Sequence, residues 1–529
     1  MAKAPESYET LPMEWVGDWA GRRAAITPDR PAVFEPETGR RCTYAEMNRR
    51  AEKAAAYLRD GLGLRPGDRV ALLSRNRLEA VDLYLACGKL GTVLAPLSFR
   101  LAARELNDLL RRMGPSVLFY DEGLAETAEG LALPGGCVRR EVADGRGDYH
   151  DEVEEAAVPA VSGNRPLRLC DPFLYVHTGG TTATPKICVV SHRQMVWNAV
   201  DILATSGGAL GPQRELLTFP LFHIGGWNTL TPVYYAGGYT VLMRAFDPTR
   251  ALELIESEGI THMGAVEAML QFMSESPAFA STELSTLEGI TSAGAPCSAW
   301  TMQPFWDRGI PVTQSYGQTE AGPSNFMYAA VDASMDEVRR HQDAIGTSMF
   351  HTDYRIVDPE SLTPVATGEA GVLLMRSPHN FDGYLDEPAR TETAFLEEGW
   401  IHSGDLAYED EEGFVRIIGR ADNMFISGGE NISPEEVEQV LARHAAVDKA
   451  AVVGIPDPRW GQVPAAAVVV REGSEASPEQ IREYAARELA KFKVPRAVVY
   501  LDELPLTGAG KIDRNAVREA IRPEIEGND

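Results

Sequence analysis

The chain has 529 residues, 44% of them hydrophobic, and its 77 acidic side chains outnumber its 50 basic ones, which gives a formal net charge of −27. A chain of this length exceeds what one hydrophobic core usually serves, so we expect at least two domains. The negative charge argues against nucleic acid as a partner, because a polyanion would be repelled overall. The six cysteines are scattered without a Cys-x-x-Cys pair, so the composition suggests neither a zinc site nor a redox motif.

The N-terminal residues give no sign of export. Residues 1–13 are polar and acidic, whereas a signal peptide is basic and then apolar. No uninterrupted apolar run approaches the roughly 18 to 20 residues that a membrane helix requires. The sequence therefore predicts a cytoplasmic protein with no integral membrane segment.

Short apolar runs alternate with longer helical patterns through much of the chain. Candidate strands lie at 69–73, 240–243 and 260–263. Apolar residues at three- and four-residue spacing predict helices over 44–58 and 78–88. Such alternation indicates an α/β fold of layered mixed sheets and helices.

Two places interrupt this pattern. The stretch 141–168 is polar and acidic, contains Gly and Pro, and is interpreted as an exposed connection. After Asp422 the pattern restarts, because Ser433 followed by a proline and two acids is a helix start signal. We therefore predict a large domain over 1–421 and a small α+β domain over 422–529.

Two segments carry most of the chemical information. The first is rich in glycine and threonine, so its backbone N–H groups and hydroxyls can hold phosphate with no bulky side chain in the way. The second presents a lone lysine, whose charge would neutralise the charge that develops on phosphorus. The two segments are Thr178-Gly179-Gly180-Thr181-Thr182-Ala183-Thr184-Pro185-Lys186 and Pro505-Leu506-Thr507-Gly508-Ala509-Gly510-Lys511.

Further segments lie between these two. Each is unremarkable alone, but their order along the chain is specific. They are Pro220-Leu221-Phe222-His223-Ile224-Gly225-Gly226-Trp227, Ser292-Ala293-Gly294-Ala295-Pro296, Tyr316-Gly317-Gln318-Thr319-Glu320, Ser403-Gly404-Asp405 and Gly419-Arg420-Ala421-Asp422. From about residue 25 to about residue 520 the chain resembles the acyl-adenylate-forming superfamily, which contains acyl- and aryl-CoA synthetases, firefly luciferase and peptide-synthetase adenylation domains.

The resemblance implies that the protein activates a carboxylic acid with ATP and Mg²⁺ as an acyl-adenylate. In this scheme Glu320 binds the metal, Thr319 contacts the α-phosphate and Lys511 contacts the transition state. Tyr316 stacks on adenine, and Asp405 accepts from the ribose hydroxyls, since a carboxylate has two acceptor oxygens. The implied ATP- and AMP-binding residues are Thr178, Gly179, Gly180, Thr181, Thr182, Lys186, Gly294, Ala295, Pro296, Gln314, Tyr316, Gly317, Asp405 and Arg420.

The segment that ends at Trp227 corresponds to the floor of the family's acyl pocket. It contains no acid, which disfavours an amino acid substrate, because a buried ammonium without a partner is costly. By resemblance His223 shapes substrate entry and turns between the two half-reactions, so it is counted among the catalytic residues. Trp227 either gates a long acyl chain or fills the pocket and restricts it to short acids. The implied pocket residues are His223, Ile224, Gly225, Trp227, Ala293 and Gly317.

The resemblance also implies that the C-terminal domain is a mobile lid. After adenylation the lid turns about a hinge at Asp422, removes Lys511 and opens a pantetheine channel to coenzyme A. For Trp460, a place in the hydrophobic core of the lid is the competing interpretation. The implied CoA-binding residues are Gly428, Gly429, Glu430, Trp460 and Phe492.

The phosphate loop departs from the family pattern at three positions. Gly179, Ala183 and Ile187 stand where the family usually has Ser, Gly and Gly. These changes remove one hydroxyl and add two side chains that restrict the backbone. Thr178 and Lys186 remain, and we expect a working loop.

The leading hypothesis is an ATP-dependent acyl-CoA ligase. It would convert a carboxylic acid, with a fatty acid favoured, to acyl-AMP and then to acyl-CoA, releasing AMP and pyrophosphate. ATP, Mg²⁺ and coenzyme A are the implied cofactors and co-substrates, and a homodimer is compatible with the hypothesis. Three alternatives stay open: a ligase that loads a carrier protein, a non-catalytic sensor of acyl or nucleotide ligands, and a luciferase-like oxygenase.

Overall fold

The computed structural model shows a mixed α/β protein. It describes residues 18–157, 167–178, 185–206, 213–329, 333–427, 430–457, 459–474, 476–506 and 512–526. A large N-terminal domain of layered sheets and helices is followed by a small C-terminal domain, which confirms the predicted fold class. The boundary that the sequence places at Asp422 stays a prediction.

Strands and helices alternate along the described residues. The strands are β1 (Pro31–Glu35), β2 (Arg40–Thr43), β3 (Arg69–Leu73), β4 (Val93–Leu97), β5 (Val117–Asp121), β6 (Val138–Val142), β7 (Pro172–Thr178), β8 (Lys186–Ser191), β9 (Arg214–Leu217), β10 (Tyr239–Leu242), β11 (His262–Ala265), β12 (Gly289–Ser292), β13 (Val312–Gln318), β14 (Gly322–Met327), β15 (Thr347–Ser348), β16 (Asp353–Val357), β17 (Gly371–Arg376), β18 (Ile401–Glu409), β19 (Val415–Arg420), β20 (Phe425–Ser427), β21 (Glu430–Ile432), β22 (Val447–Asp457), β23 (Gly461–Val470) and β24 (Ala497–Tyr500). The α-helices are α1 (Trp19–Ile26), α2 (Tyr44–Ala56), α3 (Leu78–Leu90), α4 (Ala103–Met113), α5 (Ala125–Glu129), α6 (Gly147–Glu155), α7 (His192–Thr205), α8 (Ile224–Ala236), α9 (Pro248–Glu258), α10 (Glu267–Glu275), α11 (Ala299–Trp306), α12 (Met335–Arg340), α13 (Pro388–Ala394), α14 (Pro434–Ala442), α15 (Pro478–Glu488) and α16 (Arg514–Glu526). Among the described helices, none is both long and apolar enough to cross a membrane.

Four sheets organise the described residues. A nine-stranded sheet has the order β15-β14-β13-β12-β11-β9-β10-β1-β2, and a six-stranded sheet has the order β6-β5-β3-β4-β7-β8. A four-stranded antiparallel sheet has the order β16-β17-β18-β19, and the sheet of the C-terminal domain has the order β21-β20-β23-β22 with β24 beside β23. The central strands of both large sheets run parallel. Segments at the carboxyl ends of parallel strands gather at one edge of a sheet, and the predicted site segments overlap or follow the ends of β7, β9, β12 and β13.

Helices α3 and α8 pack in the core that joins the two large sheets. Almost every side chain of α3 is buried, and α8 contributes Trp227 to the same cluster. Val33 of the nine-stranded sheet and Leu94 of the six-stranded sheet belong to this cluster as well. Glu79 of α3 is a buried charge in this region, and such a charge needs a partner. It pairs with Arg40 at 2.6 Å. The site segments are therefore carried by two sheets that share one core.

The stretch 141–168 is more structured than the sequence suggests. Its first part contains α6, which buries Tyr149 and Val153, and the Tyr149 hydroxyl donates to Asp82 at 3.2 Å. The prediction of an exposed connection is therefore wrong for this part, because two apolar residues four positions apart form a buried helix face. Residues 158–166 lie outside the described part of the chain.

The C-terminal domain contacts the large domain next to the predicted hinge at Asp422. Helix α14 begins where the sequence predicts, and Ser433 donates its hydroxyl to the Ile418 carbonyl at 2.6 Å. Glu435 in the first turn of α14 accepts from the Asn423 amide at 2.5 Å. These bonds connect the end of β19 with the start of α14.

Candidate active site

The predicted phosphate loop joins two neighbouring strands at the edge of the six-stranded sheet. β7 ends at Thr178, β8 begins at Lys186, and these two residues pair in an antiparallel ladder. Arg112 donates to the Pro185 carbonyl at 2.6 Å, which ties the C-terminal end of the loop to α4. Outside the described residues lie Gly179, Gly180, Thr181 and Thr182.

Lys186, Tyr384 and Glu320 form a chain of polar contacts beside this loop. The Tyr384 hydroxyl donates to Glu320 Oε1 at 2.8 Å, and the Lys186 ammonium donates to the same hydroxyl at 3.5 Å. Burial and the neighbouring Glu320 carboxylate raise the pKa of Tyr384. The backbone around Tyr384 is held against β8, where the Leu385 N–H donates to the Ile187 carbonyl at 2.9 Å.

Glu320 is the residue predicted to bind Mg²⁺. Mg²⁺ prefers oxygen ligands and often takes one or two carboxylates together with phosphate oxygens. Among the described residues, no group of three or more His, Cys, Asp and Glu side chains could hold a metal. A half-buried carboxylate near the phosphate loop fits Mg²⁺ that arrives with the phosphates of ATP.

Asp405 on β18 is the shared acceptor of three side chains. Its Oδ2 accepts from the Tyr316 hydroxyl and, at 2.7 Å, from the Gln318 amide, and its Oδ1 accepts from Arg420 at 3.1 Å. Burial and the Asp405 carboxylate raise the pKa of Tyr316 well above its usual range. A carboxylate oxygen accepts about two hydrogen bonds, so Oδ2 is filled. The predicted contact with both ribose hydroxyls therefore requires at least one of Tyr316, Gln318 and Arg420 to be displaced.

Thr319 and Gly317 are fixed by the elements behind them. Thr319 is buried, and its carbonyl accepts from the Gln194 amide of α7 at 2.6 Å. A Cβ at Gly317 would lie 2.5 Å from the Pro323 carbonyl oxygen, so the β13–β14 hairpin requires glycine there. Gly317 thus has a structural reason for its identity, and its predicted roles at the ATP and acyl sites stay predictions.

Gln314 is buried and holds two loops together. Its side chain accepts from the Cys297 N–H at 2.9 Å and donates to the Gln342 carbonyl at 2.5 Å. The oxygen and the NH2 group each keep a free hydrogen-bonding site, and the predicted ATP contact of this side chain stays a prediction. Three predicted nucleotide-binding residues nearby are exposed: Gly294, Ala295 and Pro296.

The acyl segment is clamped from the neighbouring sheet by Asn76. The Asn76 amide donates to the Phe219 carbonyl at 3.0 Å and accepts from the Leu221 N–H at 2.8 Å. His223 caps α8, and its Nδ1 accepts from the Gly225 N–H at 3.1 Å, so the ring proton of the neutral imidazole lies on Nε2. His223 is exposed. Three other predicted pocket residues are half-buried: Gly225, Ala293 and Gly317.

The family follows from two sequence matches. The profile described as AMP-binding enzyme matches residues 21–385, and the profile described as AMP-binding enzyme C-terminal domain matches residues 436–511. The chain belongs to the AMP-binding enzyme family. The first match covers more than half of the chain and includes the loop, the acyl segment and Glu320.

Relatives of this AMP-binding enzyme extend over nearly the whole chain. A feruloyl-CoA synthase of Amycolatopsis sp is 37% identical over 504 residues, which cover 95% of this chain and 98% of the relative. A long-chain-fatty-acid–CoA ligase of Mycobacterium tuberculosis is 32% identical over 512 residues, 96% of this chain and 98% of the relative. The ATP-bound crystal structure of MatB from Rhodopseudomonas palustris has a TM-score of 0.84 at 26% identity and covers 95% of this chain and 98% of that chain. The predicted enzyme class, an AMP-forming acid–thiol ligase, is confirmed.

Trp227 of the AMP-binding enzyme belongs to the core. It is 0% exposed and stacks on Tyr84, with ring centroids 4.5 Å apart and an interplanar angle of 16°. Ile224, also predicted to line the pocket, is 3% exposed. A side chain with no accessible surface contacts a ligand only if the core rearranges. The burial of Trp227 places it in the core, and both of its predicted roles, as a gate for a long acyl chain and as a side chain that fills the pocket and restricts it to short acids, stay predictions.

The sequence predicts no role for three residues at the site of the enzyme: Gln318, Tyr384 and His177. His177 Nε2 accepts from the Ser98 N–H at 3.1 Å, and burial together with the nearby His223 lowers the pKa of His177 to about 4. His177 is therefore neutral, with its ring proton on Nδ1. A local signal exists for two of the three, because Gln318 lies inside a predicted motif and His177 directly precedes the phosphate loop.

The two aromatic residues predicted to contact CoA are exposed on the C-terminal domain. Trp460 is 46% exposed and Phe492 is 36% exposed, so the competing interpretation of Trp460 as lid core is wrong. The predicted hinge residue, Asp422, is exposed and accepts from Arg420 at 3.3 Å. Glu430, predicted to bind CoA, is the first residue of β21. Outside the described residues lie Gly428, Gly429 and Lys511.

We expect Glu215 to make the stability of the enzyme depend on pH. This carboxyl lies on β9, which leads into the acyl segment, and it accepts from the Gly264 N–H at 3.1 Å and from the Gln213 amide at 3.3 Å. Burial raises the pKa of Glu215 from 4.5 to about 8. Between these values the folded chain holds a proton that the unfolded chain has lost. We therefore expect the free energy of unfolding to fall by about 1.4 kcal/mol for each pH unit in this range, so that this contribution is present below pH 4.5 and is lost as pH rises through 8.

Glu215→Gln should remove this dependence, because a neutral amide can still accept from Gly264. We expect the variant to gain stability relative to the wild type as pH rises from 5 to 8, on the order of 1 kcal/mol or more for each unit. Urea denaturation at several pH values measures the difference. Parallel pH profiles for the two proteins would contradict the assignment.

Proposed function

We propose that the enzyme is an ATP-dependent ligase that joins an aryl carboxylic acid to coenzyme A. The main support for the proposal is the set of side-chain contacts around the end of β13. There the Tyr384 hydroxyl contacts both Glu320 and Lys186. The Tyr316 hydroxyl donates to the Asp405 carboxylate, which also accepts from Arg420. One short segment thus supplies a carboxylate suited to metal-bound phosphate and an aromatic ring suited to a base.

In the first half-reaction the substrate carboxylate attacks the α-phosphate of ATP, and pyrophosphate leaves. A free carboxylate is a poor acylating agent because its leaving group would be oxide, and the mixed anhydride with AMP provides a better one. Glu320 would hold Mg²⁺, which when bound shields the phosphate charges from the incoming anion. Lys186 would bind the departing phosphates, and Lys511 would stabilise the charge of the transition state.

In the second half-reaction the CoA thiol attacks the acyl carbonyl carbon, a thioester forms, and AMP leaves. Trp460 and Phe492 offer exposed rings on the C-terminal domain. The Arg459 guanidinium lies 4.7 Å from the centre of the Trp460 ring, so a cation and an aromatic surface occur side by side. This combination suits a ligand that carries both a base and phosphates, as coenzyme A does.

An aryl acid is favoured by the side chains at the acyl segment. Phe222 packs edge-on against Phe99, with ring centroids 5.2 Å apart, next to the exposed His223. Trp227 fills the interior behind this segment, which leaves less room for a long flexible chain. The 37% identical feruloyl-CoA synthase points in the same direction. The fatty acid favoured by the sequence is the second candidate, which the 32% identical long-chain-fatty-acid–CoA ligase supports.

A substrate panel tests the proposal. Purified enzyme with ATP, Mg²⁺ and CoA is given hydroxycinnamic, benzoic and arylacetic acids and straight-chain acids of increasing length, and acyl-CoA is quantified by mass spectrometry. We expect kcat/KM for the best aryl acid to exceed that for the best straight-chain acid by about tenfold or more. A preference for long straight chains would overturn the aryl assignment while leaving the ligase class intact. AMP formation without a thioester would indicate a carrier protein as the acceptor.

A further inference from the structure

We infer that Tyr384 is a positioning residue for adenylation, whose hydroxyl keeps Lys186 from pairing directly with Glu320 and so holds the Glu320 carboxylate available to Mg²⁺. The inference rests on the proposed function, since it presupposes that ATP binds with its metal at Glu320. It concerns a residue for which no motif of the sequence predicts a role.

The contacts of Tyr384 place it between two opposite charges. Its hydroxyl donates to Glu320 Oε1 at 2.8 Å and accepts from Lys186 Nζ at 3.5 Å. The same Lys186 Nζ lies 5.1 Å from the centre of the Tyr384 ring, so the cation faces both the ring and the hydroxyl. Tyr384 is 8% exposed. The lysine and the glutamate therefore meet through the phenol.

The backbone holds Tyr384 in this position. Its N–H donates to the Thr391 hydroxyl at 2.9 Å, and the preceding Gly383 carbonyl accepts from the Val189 N–H of β8 at 2.9 Å. The segment is thus bonded to the strand that begins at Lys186. These two bonds hold the peptide group before Tyr384, and the Leu385 N–H holds the backbone after it by donating to the Ile187 carbonyl at 2.9 Å, so the hydroxyl stays aimed at Glu320.

Without this hydroxyl the two charges would be drawn together. Lysine carries its ammonium on a flexible four-carbon stem, and opposite charges a few ångströms apart attract strongly where water is limited. A direct Lys186–Glu320 ion pair would use the carboxylate that the metal needs and the ammonium that the phosphates need. A neutral phenol satisfies one carboxylate oxygen without cancelling the charge.

Tyr384→Phe tests the inference, because it removes the hydroxyl and retains the ring. The binding of Mn²⁺ in the presence of ATP and in the absence of acid is measured by electron paramagnetic resonance, and the Mg²⁺ dependence of pyrophosphate release is measured with acid. We expect the dissociation constant for Mn²⁺ and the half-saturating Mg²⁺ concentration to rise about tenfold, with kcat at saturating Mg²⁺ within about threefold of the wild type. Tyr384→Leu, which removes the spacer entirely, should raise both values further.

Tyr354→Phe is the matched control. The Tyr354 hydroxyl also donates to a glutamate, Glu409 Oε2, at 2.8 Å, but it lies on β16, outside the proposed site. This variant should leave Mn²⁺ affinity unchanged. Unchanged Mn²⁺ affinity in Tyr384→Phe, or an equal loss in Tyr354→Phe, would overturn the inference. A wild type that binds Mn²⁺ with ATP but releases no pyrophosphate with any acid would instead overturn the proposed function.

Discussion

Lys511→Ala should lower the rate of acyl-adenylate formation about 10²- to 10³-fold, while thioester formation from supplied acyl-AMP stays within about threefold of the wild type. The expected split follows from where the charge develops. In adenylation, negative charge builds up between the carboxylate oxygen and the α-phosphate, and a fixed ammonium there lowers the barrier. In thioester formation the anhydride already exists, and the proposed lid rotation has removed the lysine.

Separate assays of the two half-reactions measure this split. Pyrophosphate exchange into ATP reports adenylation, and acyl-CoA formation from synthetic acyl-AMP reports the second step. Lys449→Ala is the matched control, because Lys449 is an exposed lysine on β22 of the same domain. It should leave both rates unchanged. Equal losses of both half-reactions in Lys511→Ala would contradict the assigned role.

Asp405→Asn should lower kcat/KM for ATP in adenylation about 10²-fold, the second largest effect we expect. Asp405 is 7% exposed and accepts from Tyr316, Gln318 and Arg420, so one substitution weakens three contacts. An asparagine offers one acceptor oxygen and places two N–H donors against groups that are themselves donors. The ring proposed to stack on adenine would lose its anchor together with the proposed ribose contact.

A comparison of ATP with 2′-deoxyATP shows whether Asp405 also contacts the ribose. The wild type should prefer ATP, and the preference should shrink in Asp405→Asn. Asp410→Asn is the control, because Asp410 accepts from Arg416 at the opposite end of the β18–β19 pair from Asp405 and Arg420. It should preserve the preference for ATP. An undiminished preference in Asp405→Asn would contradict the ribose contact and leave Asp405 with a role in positioning Tyr316.

The sequence predicted the parts of the site that lie within short contiguous motifs. The loop flanked by Thr178 and Lys186 joins two paired strands, and Glu320 lies two residues beyond the end of β13, as parallel-sheet architecture favours. The fold class followed from alternating strand and helix patterns, which local residue spacing encodes. The roles of the individual site residues stay predictions.

Contacts between distant segments could not be predicted in this way. Tyr384 is 64 residues from Glu320 and 198 residues from Lys186 in the chain, so no local pattern connects them. The burial of Trp227 could not be predicted for the same reason, because the ring on which it stacks, Tyr84, belongs to another helix. Whether an aromatic residue lines a pocket or fills a core depends on packing between elements, and residue spacing in one element does not determine it.

The stoichiometry of a complete reaction distinguishes two-step ligation through an adenylate from other uses of ATP. Wild-type enzyme is incubated with ATP, Mg²⁺, CoA and the best acid of the panel, and AMP, ADP, pyrophosphate, phosphate and acyl-CoA are quantified together. Two-step ligation through an adenylate predicts equal amounts of AMP, pyrophosphate and acyl-CoA, and enzyme-bound acyl-AMP when CoA is left out. Formation of ADP and phosphate with the thioester, or ATP turnover without any acyl product, would contradict it.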